Sequence, residues 1–325
     1  MGHAIRFETT GGPEVLTYQH VSLPPPLPQE VQVRHHAIGV NFIDIYHRTG
    51  LYPVPLPSGL GLEAAGVIEA CGSQVSELQP GDRVSYATGP LGAYSQVQNV
   101  PASRVVQLPS HMPFDIVAAS LLKGMTAEYL LRRTFHVKPG DTILFHAAAG
   151  GVGQIACQWA KALGATVIGT VGDPAKRDLA LKHGCDHVIV SRDNNMVEIV
   201  RQLTDGRGVP VVFDSIGKDT FITSLDCLSP FGTLVSFGNA SGPVPPVDLG
   251  LLAQKGSLFV TRPTLMTYTA TPEMLQASAN AFFDIVGSGK VKINQPQAFA
   301  LDEAAEAHRA LESRKTTGSL ILKPD

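Results

Sequence analysis

The sequence predicts an α/β protein in which a doubly wound parallel sheet is inserted into a β-rich domain. Three observations predict it. Residues 1 to about 110 read as short strands divided by Gly/Pro turns, strand and helix patterns alternate from there to Thr261, and the tail beyond has no core of its own. The chain has 325 residues, more than one core usually serves, so two domains are expected. The expected division runs 1–113, 114–261 and 262–325, with the middle segment the inserted one.

In the first segment the strand patterns include 31–34, 65–69 and 83–86, the last following the turn Pro80-Gly81-Asp82. The proline tract 23–28 cannot join a central ladder, because proline has no N–H to give, so it is a loop or an edge. Helical stretches at 118–122 and 127–133 lead to the turn Lys138-Pro139-Gly140-Asp141. Strands then follow at 142–146, 166–170, 187–190, 210–214, 233–237 and 258–261, with helical patterns at 152–163, 174–183, 196–203 and 219–228. Strands alternating with helices at this interval make a parallel sheet covered on both faces. A helix at 271–287, short strands and a last helix at 302–312 must pack back on the first domain.

Composition excludes several classes. Hydrophobic residues at 44% and charged residues at 16% suit a packed protein and not a disordered one. A net charge of −3, with basic residues in ones and twos, gives no nucleic-acid surface. No apolar stretch is long enough to span a bilayer, and the N-terminus runs into a strand pattern without a signal peptide's apolar region, so a cytoplasmic protein is expected. Cys71, Cys157, Cys185 and Cys227 lie far apart with no C-x-x-C, which reads as buried free thiols.

The strongest local signal is the strand 142–146 followed by Ala147-Ala148-Ala149-Gly150-Gly151-Val152-Gly153. Glycines there permit a tight turn, close approach of backbone to a pyrophosphate and close helix–strand packing, and the next helix offers its N-terminal amides to the phosphates. Ala148 stands where the first glycine of G-x-G-x-x-G is usual, but the strand before, the helix after and a second strand about 20 residues on are the setting of a Rossmann nucleotide loop. The second strand ends at Val171-Gly172 with no acid at its tip; Asp173 reads as a helix cap and Lys176 can neutralise a 2′-phosphate, which favours NADPH over NADH.

Motifs spread over the chain agree: Gly11-Gly12-Pro13-Glu14-Val15, Asn41-Phe42-Ile43-Asp44-Ile45, Gly59 through Val67, Gly81-Asp82-Arg83-Val84, the nucleotide loop, Asp214-Ser215-Ile216-Gly217 and Phe237-Gly238-Asn239. In this the sequence resembles the zinc-free branch of the medium-chain dehydrogenase/reductase superfamily, and within it the bacterial NADPH:quinone oxidoreductases, relatives of zeta-crystallin. The resemblance implies a GroES-like catalytic domain holding an inserted Rossmann domain, an active cleft between them, and a homodimer paired through the Rossmann domains. Zinc-dependent members carry a Cys early in the first domain, a Gly-His-Glu motif and a four-cysteine lobe. Here the first falls in Gly39-Val40-Asn41-Phe42, the second reads Gly61-Leu62-Glu63, and the lobe is missing, so no metal is expected and alcohol dehydrogenation is not. A quinone accepts hydride without a Lewis acid, and the oxygen so formed can take its proton from water.

The resemblance also implies site residues. Asn41, Asp44, Ile45 and Tyr46 approach the nicotinamide and substrate, and Tyr52 lines the cleft; Asn41, Asp44, Tyr46 and Tyr52 are the catalytic candidates, against ordinary loop polarity for Asp44 and packing for the tyrosines. Cofactor contacts are expected from Asn41, Ile45, Thr126, Tyr129, Gly150, Gly151, Val152, Gly153, Gly172, Lys176, Ser191, Arg192, Ser215, Phe237, Gly238, Asn239, Arg262, Pro263, Thr264 and Arg314. Lys123 falls where the family's chain crosses into the Rossmann domain. His183, Cys185 and His187 sit in a helix-to-strand turn and His35-His36 should point to opposite strand faces, so neither set reads as a metal site. Two other readings stay open: an NADPH-dependent enoyl or alkenal reductase with Tyr46 or Tyr52 as proton donor, and a non-enzymatic NADPH-binding protein with a structural or RNA-binding role.

Overall fold

The structure, a computed structural model, describes residues 2–191, 195–313 and 316–324. The expected contacts Arg192 and Arg314 lie outside the described residues. The chain forms two compact units: unit 1 comprises 1–123, 269–283 and 293–325, and unit 2 comprises 124–268 and 284–292.

Unit 1 begins with β1 (Gly2–Phe7), β2 (Thr17–Val21), β3 (Glu30–Val40), α1 (Phe42–Thr49), β4 (Ser58–Gly59), β5 (Ala64–Cys71), β6 (Arg83–Tyr86), β7 (Val97–Pro101), β8 (Val106–Gln107) and α2 (Phe114–Ala118). β3 is its spine, pairing antiparallel with β5 and β7. Val31, Val33, His35 and Ala37 face inward while Arg34 and His36 face out, the alternation of a half-covered strand. From Ile38 to Asn41 every residue is buried, because both faces are now covered. Gly39 belongs to that stretch: a Cβ there would lie 2.3 Å from Ala118 O and 2.4 Å from Glu63 Oε2. The core gathers Ile5, Phe7, Ile38, Leu60, Tyr86 and Leu322 with neighbours from the C-terminal segment. The proline tract carries no strand, as its missing donors require.

α3 (Leu121–Tyr129) leads into unit 2: β9 (Thr142–Phe145), α4 (Gly151–Ala162), β10 (Thr166–Val171), α5 (Arg177–Lys182), β11 (His187–Val190), α6 (Met196–Leu203), β12 (Val209–Asp214), α7 (Phe221–Cys227), β13 (Leu228–Ser236), α8 (Gly250–Gln254), β14 (Phe259–Thr261) and α9 (Leu265–Tyr268). The helix expected over 174–183 opens as a 3-10 turn at Pro174–Lys176. All six strands run parallel in the order β11-β10-β9-β12-β13-β14. The order reverses between β9 and β12, the switch point at which doubly wound sheets bind ligands. α10 (Pro272–Gly287), β15 (Gln297–Ala300), α11 (Ala304–Glu312) and β16 (Leu320–Lys323) complete the chain, and β16 pairs with β3 in unit 1. No helix among the described residues is long and apolar enough to cross a membrane.

Candidate active site

In unit 2 the expected cofactor residues follow the C-terminal ends of the parallel strands: 147–153 after β9, Gly172 and Lys176 after β10, Ser191 after β11, Ser215 after β12, 237–239 after β13 and 262–264 after β14. The nucleotide loop turns through Ala147, whose φ is 52°, and is tied by Gly150 N–H to Ala147 O at 2.8 Å and Ala148 N–H to Thr170 O at 2.9 Å. Gly153 lets α4 close onto this loop: a Cβ there would stand 2.4 Å from Ala147 O and 2.6 Å from Ala148 O. α4 runs 12 residues from its Gly150 cap, with no side chain closing the cap, so its first-turn amides are suited to an anion.

The loops after β12 and β13 interlock. A Cβ on Gly238 would meet Ser215 O at 2.5 Å, and Phe237 N–H donates to Asp214 O at 2.8 Å. Arg262 donates to Ser236 O at 2.8 Å, and with the Asn239 amide turned to satisfy both its atoms the guanidinium also donates to Asn239 Oδ1 at 3.2 Å. Tyr129 stacks on Tyr268 with centroids 4.5 Å apart, and Arg133 lies over the Tyr268 ring. Thr264 bonds Thr267 across the first turn of α9. Asp173 is the cap expected: its carboxylate accepts from Ala175 N–H at 2.9 Å. Gly172 and Ser191 stand beside each other at the tips of β10 and β11. These residues fit a dinucleotide, with glycine where backbone must come close, amides for phosphates, and Lys176 beside the strand tip.

Unit 1 contributes a buried polar cluster. Asn41 caps α1, and Asp44 reaches back to accept from Asn41 N–H at 2.8 Å. Loop polarity is therefore the wrong account of Asp44, which is buried in the first turn of a helix the sequence patterns did not mark. Tyr94 donates to the same oxygen at 3.0 Å, while Asp44 Oδ1 is buried without a partner. Burial pushes the Asp44 carboxyl up to about 7 against the bonds from Asn41 and Tyr94. Asn41 Oδ1 accepts from Lys123 Nζ at 2.7 Å, and Asn41 Nδ2 donates to Glu63 Oε2 at 2.8 Å. Glu63 Oε1 accepts from Leu122 N–H at 2.7 Å. Burial raises the Glu63 pKa and lowers that of Lys123, against their mutual attraction across 4.0 Å.

Tyr46 is buried and meets half-buried Tyr52 edge to face at 5.2 Å, with Tyr52 N–H donating to Tyr46 O at 3.0 Å. Ile45 is buried on the same helix. Three participants, Glu63, Lys123 and Tyr94, were not among the expected site residues. The charge of Glu63 in an otherwise apolar strand approach, 60–68, was the available signal for it; Tyr94 gave none.

A parallel sheet edged by a glycine-rich nucleotide loop, with a separate, mainly antiparallel unit carrying a buried polar cluster, is the build of a two-domain nicotinamide-dependent dehydrogenase or reductase. Residues 27–110 match the family described as alcohol dehydrogenase GroES-like domain, and 151–288 match that described as zinc-binding dehydrogenase. The chain is 56% identical over 325 residues to a quinone oxidoreductase of Pseudomonas aeruginosa, with all of both chains covered. It is 45% identical to a 2-haloacrylate reductase of a Burkholderia species, over 97% of this chain and 96% of that one. The crystal structure of Escherichia coli quinone oxidoreductase complexed with NADPH superposes with a TM-score of 0.98 at 51% identity, covering 99% of this chain and 100% of that one. The chain belongs to the quinone oxidoreductase family of the medium-chain dehydrogenases/reductases.

Proposed function

We propose that the chain is an NADPH:quinone oxidoreductase, with unit 2 as the NADP-binding domain and unit 1 as the substrate domain. One observation carries the choice of cofactor: the Asp173 carboxylate at the tip of β10 is engaged with Ala175 N–H, and Lys176 follows it. A carboxylate turned into its own loop is not offered to ribose hydroxyls, and the lysine favours a 2′-phosphate. NADPH, when bound, supplies the hydride, and the balanced reaction adds that hydride and one proton to a quinone to give a hydroquinone and NADP+.

The residues of unit 1 divide the remaining work. Lys123 and Glu63 fix both ends of the Asn41 amide, so Asn41 has one N–H left for an acceptor oxygen and acts as a donor. Asp44, with its carboxyl raised to about 7, carries a proton for part of the time at neutral pH, and its second oxygen is unpartnered. Tyr46 and Tyr52 supply aromatic surface for a flat acceptor. The likeness to a 2-haloacrylate reductase supports a second reading, hydride addition to an activated C=C with a tyrosine as proton donor.

The protein acts as a homodimer in the cytoplasm. Free cysteines, three of them buried, suit a reducing compartment, and the edge strand β14 with exposed Phe259 and Val260 suits pairing with a second copy. The deciding experiment is oxidation of NADPH and of NADH with benzoquinone, phenanthrenequinone and 2-alkenals, with and without a chelator. Higher kcat/KM for NADPH and quinones is expected. Preference for alkenals moves the assignment to the second reading, and a chelator-sensitive rate overturns both.

A further inference from the structure

Beneath the nucleotide loop of unit 2 runs a set of buried hydrogen bonds that none of the steps above uses. Ala147 N–H donates to Thr170 Oγ1 at 3.4 Å, and the same oxygen lies 3.0 Å from His146 Nδ1. On the far side of the ring, Nε2 lies 3.0 Å from Ser224 Oγ. Ser224 donates to Asp214 Oδ2 at 2.9 Å, and Thr220 donates to it at 2.7 Å. Asp214 Oδ1 accepts from Ile216 N–H at 2.7 Å and Gly217 N–H at 3.1 Å. His146, Thr170, Asp214, Thr220 and Ser224 are all buried.

The carboxylate sets the direction of the whole chain. Ser224 has one hydroxyl hydrogen and gives it to Asp214, so its oxygen must accept from His146 Nε2–H. The ring's other nitrogen is then bare and accepts from Thr170, whose oxygen accepts from Ala147 N–H. Every donor points toward Asp214, and the imidazole is neutral with its hydrogen on Nε2. Burial lowers the pKa of this histidine, in keeping with a neutral ring.

The positions joined are the ends of β9, β10 and β12, of which β9 and β12 flank the switch point of the sheet. They also begin the two loops that the cofactor reading needs rigid, 147–153 and 215–217. Ala147 holds a left-handed φ that an alanine adopts at some cost, and the bond from its N–H to Thr170 helps keep it there. We propose that His146, as the Nε2–H tautomer, is a positioning residue for NADPH, a strut that holds the nucleotide loop to the loop after β12. This rests on the NADPH reading of unit 2, and it assigns a role to a fully buried side chain.

The test is NADPH titration of the full chain, followed by reduced-nicotinamide fluorescence, for the wild type, His146→Leu, His146→Gln, Thr170→Val and the Leu/Val double variant. Loss of both hydrogen bonds of the ring, with Thr170 and Ser224 left stranded, predicts NADPH binding at least about tenfold weaker for His146→Leu. His146→Gln, which keeps a donor for Ser224, falls between. The double variant binds no more weakly than His146→Leu alone, since both cut one chain. KM for quinone at saturating NADPH stays within about twofold, a split that general loss of stability does not produce. Should the leucine variant fail to fold, the 15N imidazole signals of the wild type decide: a bare Nδ1 and protonated Nε2 support the strut, and the other tautomer or a doubly protonated ring overturns it. Wild type that does not bind NADPH removes the cofactor reading itself. Wild type that binds, with His146→Leu binding equally well, removes only the role of His146.

Discussion

Lys123 Nζ lies 2.7 Å from Asn41 Oδ1, and the nitrogen of the same amide donates to Glu63 at 2.8 Å. An asparagine amide can turn over at little cost unless its two ends are told apart. Here a cation marks the oxygen and a carboxylate marks the nitrogen. Lys123→Met leaves the Glu63 carboxylate and Asn41 Oδ1 buried without the cation, and breaking such a pair costs about 3–5 kcal/mol of stability. Adding Glu63→Gln should return much of that stability, because the stranded charge is gone, while kcat with quinone stays low because Asn41 is no longer oriented. Denaturant melts and steady-state kinetics of the two variants check this. Recovery of kcat along with stability would count against an orienting role.

Unit 1 also fixes how stability changes with pH. Burial holds His35 down to about 4 and His308 to about 3, while it pushes Asp44 up to about 7. Between pH 4 and 6.5 the unfolded chain binds protons on both histidines that the folded chain refuses, so their contribution to stability rises with pH and is complete above 6.5. Asp44 works in the opposite sense. The folded chain keeps a proton there that the unfolded chain has lost, so its contribution is full below the usual carboxylate range and gone once pH passes about 7. Asp44→Asn removes the falling part, and its stability should gain on the parent by up to about 1.4 kcal/mol per pH unit from pH 4 to 7. Parallel stability curves for the two proteins would rule out a raised Asp44.

The alternation of strand and helix was legible because each element of a doubly wound sheet repeats one local pattern. The run Ile143-Leu144-Phe145 and the glycines at 150–153 announce a buried strand and a phosphate loop without help from distant residues. Helix α1 was not legible. Its eight residues, Phe42–Thr49, hold buried Asp44 and Arg48 on the face that periodicity expects to be apolar. Arg48 is buried because Glu312 and His308, more than 250 positions away in sequence, receive its hydrogens. The same holds for Tyr94, whose partners Asp44 and His308 come from opposite ends of the chain. A local pattern marks what a residue prefers, and a buried charge is decided by partners that a local pattern does not contain.

Lys176 tests the choice of nicotinamide cofactor. It is half-buried beside Asp173 in the turn after β10, where burial lowers its pKa against the pull of that carboxylate. Lys176→Ala should raise KM for NADPH by about tenfold, the worth of one charge-assisted phosphate contact, and leave KM for NADH nearly unchanged. Initial rates with each cofactor at fixed quinone measure it. An equal rise for both would place Lys176 away from the 2′-phosphate.

The edge of the six-stranded sheet gives the last prediction. β14 ends the order of strands, and its three residues present Phe259 at 60% and Val260 at 41% exposure. Phe231 and Leu249 are exposed as well, and Phe231 is tied to the approach to β14 by its N–H to Gly256 O at 2.8 Å. An apolar sheet edge tends to be covered, and in the homodimer proposed above a second copy meeting it across a two-fold axis would pair β14 with β14 and bury both sets of apolar side chains. Val260→Lys, in the middle of the three-residue strand, brings one like charge from each copy to that seam, which a desolvated contact cannot hold. Sedimentation equilibrium should then show a dimer for the wild type and a monomer for Val260→Lys at the same concentration. Val260 pairs through its backbone with Leu234 and its side chain is exposed, so circular dichroism should match the wild type. A variant that stays dimeric would move the contact to another face of the protein.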